Sequence, residues 1–449
     1  MATSREMTEG RALPLIFNFT LPLLLGNLLQ QTYSLVDAAI VGRFLGINAL
    51  ASVGASTSVV FLILGFCNGC CGGFGIPVAQ KFGARDYVTM RRYVAISLQL
   101  AAVMSVVIAV VTSIYCADIL HMMSTPENIF TGAYYYLLVT FIGVPFTFFY
   151  NLLSSIIRAL GDSKTPFWFL LLSTVLNILL DLFCILVLGW GVAGAAIATL
   201  ASRVFCAVVV LWQLRMDRQP IVVRNYRQIR PDGKMIRRVL ALGIPSGIEN
   251  SMFQLGKLAI QSSVSTLGTV AIAAQAMTNI LENLNGIAAI GVGIGLMTVV
   301  GQCLGAGRKD EAVYYIKKLS VLAEIIVVAS CLLVFALTIP VTKLGGMESE
   351  SARMCFHMIS WITVVKPIVW TLAFIPAYGL RAAGDVKFSM LTSCITMWTF
   401  RFCLCVYLIR FRGFGPMAVW IGMFTDWTVR GIVFSLRFHS RKWLNHKVV

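Results

Sequence analysis

Apolar runs of about 20 residues or more follow one another along the chain, and short polar segments separate them. A helix of about 20 apolar residues is long enough to cross the hydrocarbon core of a bilayer. The pattern therefore predicts an all-α membrane protein with twelve transmembrane helices. We place the spans near residues 13–40, 48–79, 92–115, 131–157, 165–188, 191–213, 239–266, 270–303, 316–340, 354–380, 387–409 and 415–436.

The composition argues against an ordinary soluble protein. Hydrophobic residues make up 58% of the 449 residues, charged residues make up only 12%, and the mean hydropathy is +0.83. Soluble domains carry about 25% charged residues because water must wet their surface. Most of the twelve cysteines lie in apolar runs, where cysteine acts as a small hydrophobe, so we predict no disulfide framework. Residues 1–12 are polar and the first apolar run is too long for a signal peptide, so we expect none.

The net charge of +17 indicates topology rather than a nucleic-acid partner. With the spans in place, 26 of the 36 Lys and Arg residues fall in segments on one side of the membrane and five fall on the other. This asymmetry is the positive-inside pattern and predicts that both termini are cytoplasmic. Nucleic-acid binding would instead require a basic face on a soluble domain. We therefore predict a multi-pass protein of the cell (plasma) membrane with no nucleic-acid partner.

The second half of the sequence repeats the first half at an offset of 222–224 residues. Pro22 corresponds to Pro245, and Asn27 corresponds to Asn250. The segment RALGDSK at 158–164 corresponds to RAAGDVK at 381–387. The register is kept over several separated loops, so the two halves are predicted to share one architecture.

Each half has six spans, so both halves insert in the same orientation and form two parallel repeats. We predict an N-terminal six-helix lobe over 1–213, a cytoplasmic basic linker over 214–238 and a C-terminal six-helix lobe over 239–449. Two like bundles leave a cleft between them, and rocking of one bundle against the other gives alternating access. The arrangement favours a carrier over a channel, because no filter loop is evident.

Charged side chains inside the first-half spans are the candidate functional residues. An ionisable residue in a span costs about 2.5–3.5 kcal/mol on insertion scales, so each one needs a reason. The helical rise puts Asp37 about 9 Å, and Asp181 and Thr199 about 12 Å, from the outer ends of spans 1, 5 and 6. Asn177 lies one helical turn before Asp181, on the same face. Oxygen atoms at one depth suit sodium, and two nearby carboxylates can share a proton, so we predict a cation-coupling site.

Interhelical hydrogen bonding is the alternative explanation for these residues. A cluster needed only for packing would be expected in the second half as well. The corresponding second-half positions instead hold Ile260, Arg401, Cys405 and Met423, which favours a functional site. Arg203 in span 6 is expected to neutralise a carboxylate or to cap the site.

The second half has its own charged residues within the spans. Glu249 and Glu282 lie near mid-membrane, where we expect them to line a substrate cleft for cationic, amphipathic molecules. Lys257 and Arg203 are further candidates for this cleft. The alternative is a buried pair of Glu with Lys or Arg. Glu324, Lys366, Arg401 and Asp426 are further charged residues in these spans, and for Glu324 and Asp426 we expect a structural role.

No catalytic constellation is found, so we do not expect an enzyme. The four His residues, at 121, 357, 439 and 446, lie outside the middle of the spans. The run Cys67, Cys70 and Cys71 has no second cysteine pair or His nearby, so we predict no metal site. The only expected cofactor-like species is the coupling cation, H⁺ or Na⁺.

Several segments resemble the multidrug and toxic compound extrusion (MATE) family. They are span 1 with Pro22, Asn27, Gln31 and Asp37, the exit VGRFLG at 41–46, the loop QKFGARD at 80–86, and the twin segments that begin at Arg158 and Arg381. The resemblance covers residues 12–438. It implies a V-shaped, twelve-helix antiporter, expected to be a monomer in contact with membrane lipid, that exports drugs or toxic metabolites against inward flow of protons or sodium.

Within that family the pattern is similar to the DinF-like branch. The resemblance implies that the cation site of the first lobe consists of an Asp in span 1, an Asn and an Asp in span 5 and a Thr in span 6. These positions match Asp37, Asn177, Asp181 and Thr199. The sodium-driven NorM-like branch has a second-lobe site with an Asp in span 10, and the region near Trp370 offers none.

Two other functions remain open from the sequence. One is a lipid-linked oligosaccharide flippase of the same superfamily, although such proteins often have extra helices and a strongly cationic cleft. The other is a receptor or scaffold that has a transporter fold but does not transport. The two aspartates at matched depth argue against this alternative.

Overall fold

The computed structural model describes residues 12–216, 221 and 231–446. Within these ranges the chain forms helices joined by short turns, with no strand. The predicted linker, 214–238, lies mostly outside the described residues, as do the basic residues Arg5 and Arg11.

Six long helices form the first half of the described chain. A short helix, Cys116–Met122, joins the third to the fourth. The six are α1 (Ala12–Leu45), α2 (Ile47–Gly83), α3 (Tyr87–Ile114), α4 (Glu127–Ala159), α5 (Lys164–Leu182, continued by a π-helical turn, Phe183–Val187) and α6 (Gly191–Met216).

Six long helices also form the second half. They are α7 (Gly233–Val264), α8 (Thr269–Gly305), α9 (Lys309–Leu344), α10 (Ser349–Ala382), α11 (Val386–Arg412) and α12 (Met417–His439). A π-helical stretch, Met397–Cys403, interrupts α11.

Each predicted span is a helix, so the all-α membrane architecture with two six-helix repeats is confirmed. Nine helices of the described chain are long and apolar enough to cross a membrane. The remaining three, α1, α7 and α12, have 34, 32 and 23 residues. Helix α7 begins at Gly233, so the last residues of the predicted linker are helical.

The turns between helices repeat the same backbone geometry in both halves. Gly46 and Gly268, which precede α2 and α8, have φ values of 88° and 92°. Gly161 and Gly384, which precede α5 and α11, have φ values of 83° and 93°. Residues with a Cβ rarely adopt such angles, so glycine is needed at both copies of each turn. The sequence repeat is therefore also a repeat of backbone conformation.

Helix packing follows the same plan in each half. In the first half α4 packs against α2, α3 and α6, and α5 packs against α6. In the second half α10 packs against α8, α9 and α12. The fourth helix of each repeat is thus its central element.

The chain folds into two compact units whose boundaries lie inside α1 and α7. One unit comprises Leu21–Ser251, and the other comprises the described residues up to Thr20 and from Met252 onward. The first part of α7 is therefore packed in the unit of the first repeat, and the first part of α1 is packed in the unit of the second repeat.

Glycines on α2 allow the first part of α7 to approach closely. A Cβ atom at Gly73 would lie 2.5 Å from the carbonyl oxygen of Leu242 and 2.6 Å from the Cα of Gly243. A Cβ atom at Gly69 would overlap the carbonyl oxygen of Ser246. The obstacles are backbone atoms, which cannot rotate away, so these two positions admit only glycine. Small residues at a helix interface are the usual basis of such close packing in membranes.

The second half contains the corresponding contact. A Cβ atom at Gly291 of α8 would lie 3.0 Å from Cγ2 of Thr20, and one at Gly295 would lie 3.2 Å from Cδ1 of Phe19. Here the neighbours are side chains of α1 rather than backbone. The α1–α8 contact is therefore less tight than the α2–α7 contact.

We expect Gly73→Ala to destabilise the protein by roughly 1–3 kcal/mol, because the added methyl group overpacks the contact with α7. Gly72→Ala is the matched control, since a Cβ atom there meets nothing within 4 Å. Thermal unfolding in detergent measures the difference. Equal melting temperatures for the two variants would contradict the close α2–α7 packing.

Candidate cation site and buried ion pairs

The predicted cation-coupling residues come together within the first repeat. Asn177 and Asp181 lie one turn apart on α5 and are buried, with 2% and 0% exposure. Thr199 on α6 and Asp37 on α1 are partly buried beside them. Helical spacing puts Asn177 and Asp181 on one face of α5, and the packing of α1 and α6 against that face brings Asp37 and Thr199 to it.

The Asn177 amide is the centre of a hydrogen-bond network. In the orientation that satisfies its donors and acceptors, its nitrogen donates to Asp181 Oδ2 at 3.0 Å and to Tyr33 Oη at 3.1 Å. Its oxygen accepts from the Thr199 backbone N–H at 3.0 Å and from Thr199 Oγ1 at 3.2 Å. Tyr33 Oη and Thr199 Oγ1 are 3.1 Å apart and close the ring. The network links all three helices.

The carboxyl groups of Asp37 and Asp181 are in direct hydrogen-bonding contact. Ionised carboxylates only accept hydrogen bonds, so this contact requires a shared proton, or a cation in its place. One oxygen of each group, Oδ1, is buried and has no partner among the described residues. Unpartnered buried oxygens are costly, so the pair has coordination capacity left for a cation.

Two tyrosines belong to this site and were not predicted. Tyr33 precedes Asp37 by one helical turn, so its i, i+4 spacing could have been noticed. Tyr136 on α4 lies within electrostatic reach of Asp37 and Asp181. No local pattern indicates Tyr136, because its approach depends on how α4 packs in the bundle.

Arg203 lies beside the network rather than on an aspartate. Its guanidinium is over the ring of Tyr150, at 5.3 Å from the centroid. It lines a small cavity together with Tyr33, Asn177 and Thr199. The cavity has room for about one water molecule, so Arg203 borders a polar space at the edge of the site.

The predicted cleft residues have different surroundings. Glu249 on α7 is buried, with 4% exposure, in the unit of the first repeat. Glu282 on α8 pairs with Lys366 of α10, with Nζ 2.7 Å from Oε1. Lys366 is fully buried and lies over the rings of Trp370 and Trp427 at 5.5 and 6.0 Å. The Glu282 carboxylate is therefore neutralised within the protein.

A second buried ion pair joins Asp426 to Arg430 on α12. Nη2 of Arg430 donates to both oxygens of Asp426, at 2.9 and 3.1 Å, and also to Thr396 Oγ1 at 3.2 Å. Both side chains are at most 1% exposed. Asp426 thus has a structural partner. Sequence reasoning missed Arg430, although its i, i+4 spacing from Asp426 inside an apolar helix was a readable signal.

Comparison with known families supports the repeat and the fold. The MatE family model matches residues 22–183 and again residues 245–407, one match in each repeat. Among curated proteins, a probable multidrug resistance protein, YoeA of Bacillus subtilis (strain 168), is 30% identical, with 94% of each chain covered. A second probable multidrug resistance protein of that strain, YpnP, is 28% identical, with 93% of each chain covered.

Solved structures share the whole fold. A crystal structure of MATE in the bent conformation has a TM-score of 0.88 at 21% identity and covers 98% of this chain and 97% of its own. An outward-facing multidrug resistance MATE family transporter of the MOP superfamily has a TM-score of 0.84 at 22% identity, with 96% of each chain covered. The family resemblance predicted from the sequence is confirmed. The chain belongs to the MatE family of membrane transporters.

Proposed function

We propose that this transporter exports small organic molecules in exchange for an inward-moving cation, a proton or sodium. The names of the multidrug relatives support drugs as the substrate class. We include toxic metabolites and cationic molecules in the proposal. The observation that carries the coupling is the contact between Asp37 and Asp181, each with a buried oxygen that lacks a partner among the described residues. The sequence resemblance to the DinF-like branch implies the same assignment of the cation site.

A cation at this site couples to the packing of α1. Without a proton or cation, the two carboxylates repel each other and push α1 away from α5. A bound cation removes this repulsion and draws the two helices together. Pro22 lies in α1 next to the boundary between the compact units and removes one helical hydrogen bond, so α1 can bend there. Cation binding thereby favours one arrangement of α1 over the other.

The energy available from one cation is sufficient for export. One charge that crosses a potential of 100 mV releases about 2.3 kcal/mol. Each tenfold concentration gradient costs about 1.4 kcal/mol. For an uncharged substrate, a single cation can therefore support a gradient of about fiftyfold. When a monovalent cationic substrate leaves in exchange for one cation, no net charge crosses the membrane, and the concentration gradient of the coupling cation has to drive export.

Neutralising either aspartate is expected to abolish coupling. In proteoliposomes, Asp37→Asn and Asp181→Asn should slow gradient-driven efflux of a cationic dye by about tenfold or more, because each removes a charged ligand of the cation. Asp118→Asn, in the short helix before α4, is the control for an exposed carboxylate. Efflux at the wild-type rate in both Asp37→Asn and Asp181→Asn would contradict the assignment of the coupling site.

The same vesicles distinguish the two cations. Acceleration of efflux by a sodium gradient at equal pH on both sides would identify sodium. Acceleration by a pH gradient in sodium-free buffer would identify the proton.

Tyr33→Phe is expected to weaken cation binding rather than to abolish transport. The variant leaves one N–H of Asn177 without its acceptor, which costs about 1 kcal/mol and corresponds to about a fivefold higher half-saturating cation concentration. Tyr135→Phe is the control, because Tyr135 lies on α4 but is 52% exposed. An unchanged half-saturating concentration for Tyr33→Phe would show that the network does not tune the site.

We also propose that the protein lies in the cell membrane as a monomer, with both termini in the cytoplasm. Green fluorescent protein fused to the C-terminus should fluoresce, whereas alkaline phosphatase fused there should be inactive. Active phosphatase and a dark fluorescent protein would reverse the proposed orientation.

A further inference from the structure

The second repeat contains a cluster of charged side chains, most of them buried, with an excess of positive charge. Its members come from α7, α8, α10, α11 and α12 and lie in one compact unit. Four basic side chains face two carboxylates, so the cluster has two positive charges left over. The members are Lys257, Lys366, Arg401, Arg430, Glu282 and Asp426.

Two of the four cations are neutralised inside the protein. Glu282 holds Lys366 at 2.7 Å, and Asp426 holds Arg430 at 2.9 Å. Both carboxylates are thereby engaged at short range. They remain within electrostatic reach of Arg401, but neither forms an ion pair with it in the described chain.

Arg401 and Lys257 are the cations left over. Arg401 is 7% exposed, and its Nε is buried without a hydrogen-bond acceptor among the described residues. Lys257 is exposed, and no described residue forms a hydrogen bond or an ion pair with its ammonium group. The two side chains are close enough for their positive charges to repel each other.

Both residues lie deep along their helices. Lys257 is about 10 Å from the outer end of α7, and Arg401 is about 16 Å from the outer end of α11. Unpaired charges at such depth are costly, and they normally mark the path or the binding site of a substrate. Two cations within electrostatic reach of each other are costlier still, and an anionic ligand that interacts with both would remove the repulsion and the unmet hydrogen bonding.

The position of this pair within the repeat is informative. Arg401 corresponds to Asn177, and Lys257 lies one residue from the counterpart of Tyr33. The second repeat therefore has basic groups where the first repeat has its network around two aspartates. The same region of the scaffold therefore contains acidic groups in the first repeat and basic groups in the second.

We propose that Lys257 and Arg401 bind the carboxylate, or an equivalent single anionic group, of an organic solute. The ring of Phe253 lies 5.8 Å from the Arg401 guanidinium and 5.0 Å from that of Arg430, and it offers an apolar surface beside the charges. The ligand class is an amphipathic organic anion or zwitterion. This proposal rests on the proposed transport function, because it assigns a substrate class to that transporter.

Equilibrium binding to the purified full-length transporter in detergent tests this proposal. The probe is fluorescein, an aromatic carboxylate, and its binding is followed by fluorescence polarisation. Tetramethylrhodamine methyl ester has the same xanthene frame but is a cation. We expect the Kd for fluorescein to rise about tenfold or more in Lys257→Gln and in Arg401→Gln, with the Kd for the ester unchanged.

Two further variants separate the site from general charge and folding effects. Lys257→Arg keeps the charge and should retain fluorescein binding. Lys343→Gln removes an exposed cation at the end of α9 and should also retain it. If Arg401→Gln is poorly folded, the Lys257 variants alone decide the outcome. Absence of saturable fluorescein binding to the wild type, or equal Kd values in the wild type and Lys257→Gln, would overturn the proposal.

A competition experiment identifies the source of the anionic group. Benzoate is a soluble carboxylate, and dihexanoyl phosphatidic acid carries a lipid phosphate headgroup. Displacement of fluorescein by benzoate supports an organic anion. Displacement by the lipid alone would overturn that assignment in favour of a lipid headgroup.

Failure of the anion-binding proposal is distinguishable from failure of the coupling proposal. Anion binding is measured in detergent without any gradient, whereas coupling is measured by gradient-driven efflux of a cationic dye from vesicles. Either result can therefore be negative while the other is positive.

Discussion

Charge buried in a low-dielectric bundle has to be neutralised, and this constraint organises both halves of the molecule. A free charge within a membrane span costs several kcal/mol, so we expect two kinds of buried charge: those paired within the protein and those left available to a ligand. The Asp426–Arg430 and Glu282–Lys366 ion pairs are of the first kind. We assign the Asp37–Asp181 contact to the second kind, because a buried oxygen of each carboxyl group has no donor among the described residues. The proposed function is thus placed where the protein leaves buried charge incompletely neutralised.

The repeated scaffold permits unlike chemistry in its two copies. Backbone turns, the central fourth helix and the glycine contacts recur in both halves, because they depend on small residues and helix geometry. The polar residues of the candidate cation site do not recur. The Asn177 amide of the first repeat is replaced by the Arg401 guanidinium in the second. A duplicated bundle can therefore hold a cation in one copy and receive a differently charged partner in the other without a change of fold.

Exchange requires that occupation of one site alters the packing on which the other depends. Helices α1 and α7 are suited to this role, since each begins in one compact unit and ends in the other. Asp37 and Lys257 lie toward the C-terminal ends of these two helices, beyond Pro22 and Pro245. A ligand bound near either residue would therefore act on a helix that a proline allows to bend.

The sequence by itself determined the twelve spans and the parallel repeats. It also identified Asp37, Asn177, Asp181 and Thr199 as polar residues at a similar depth in the first repeat. These features follow from hydropathy, a fixed offset and helical spacing, all of which are local or periodic. Tertiary structure alone decided that Tyr136 approaches the aspartates and that Glu282 pairs with Lys366, 84 residues away. The physical reason is helix rotation: a sequence fixes the depth of a side chain along its helix, but only packing decides which neighbour it faces.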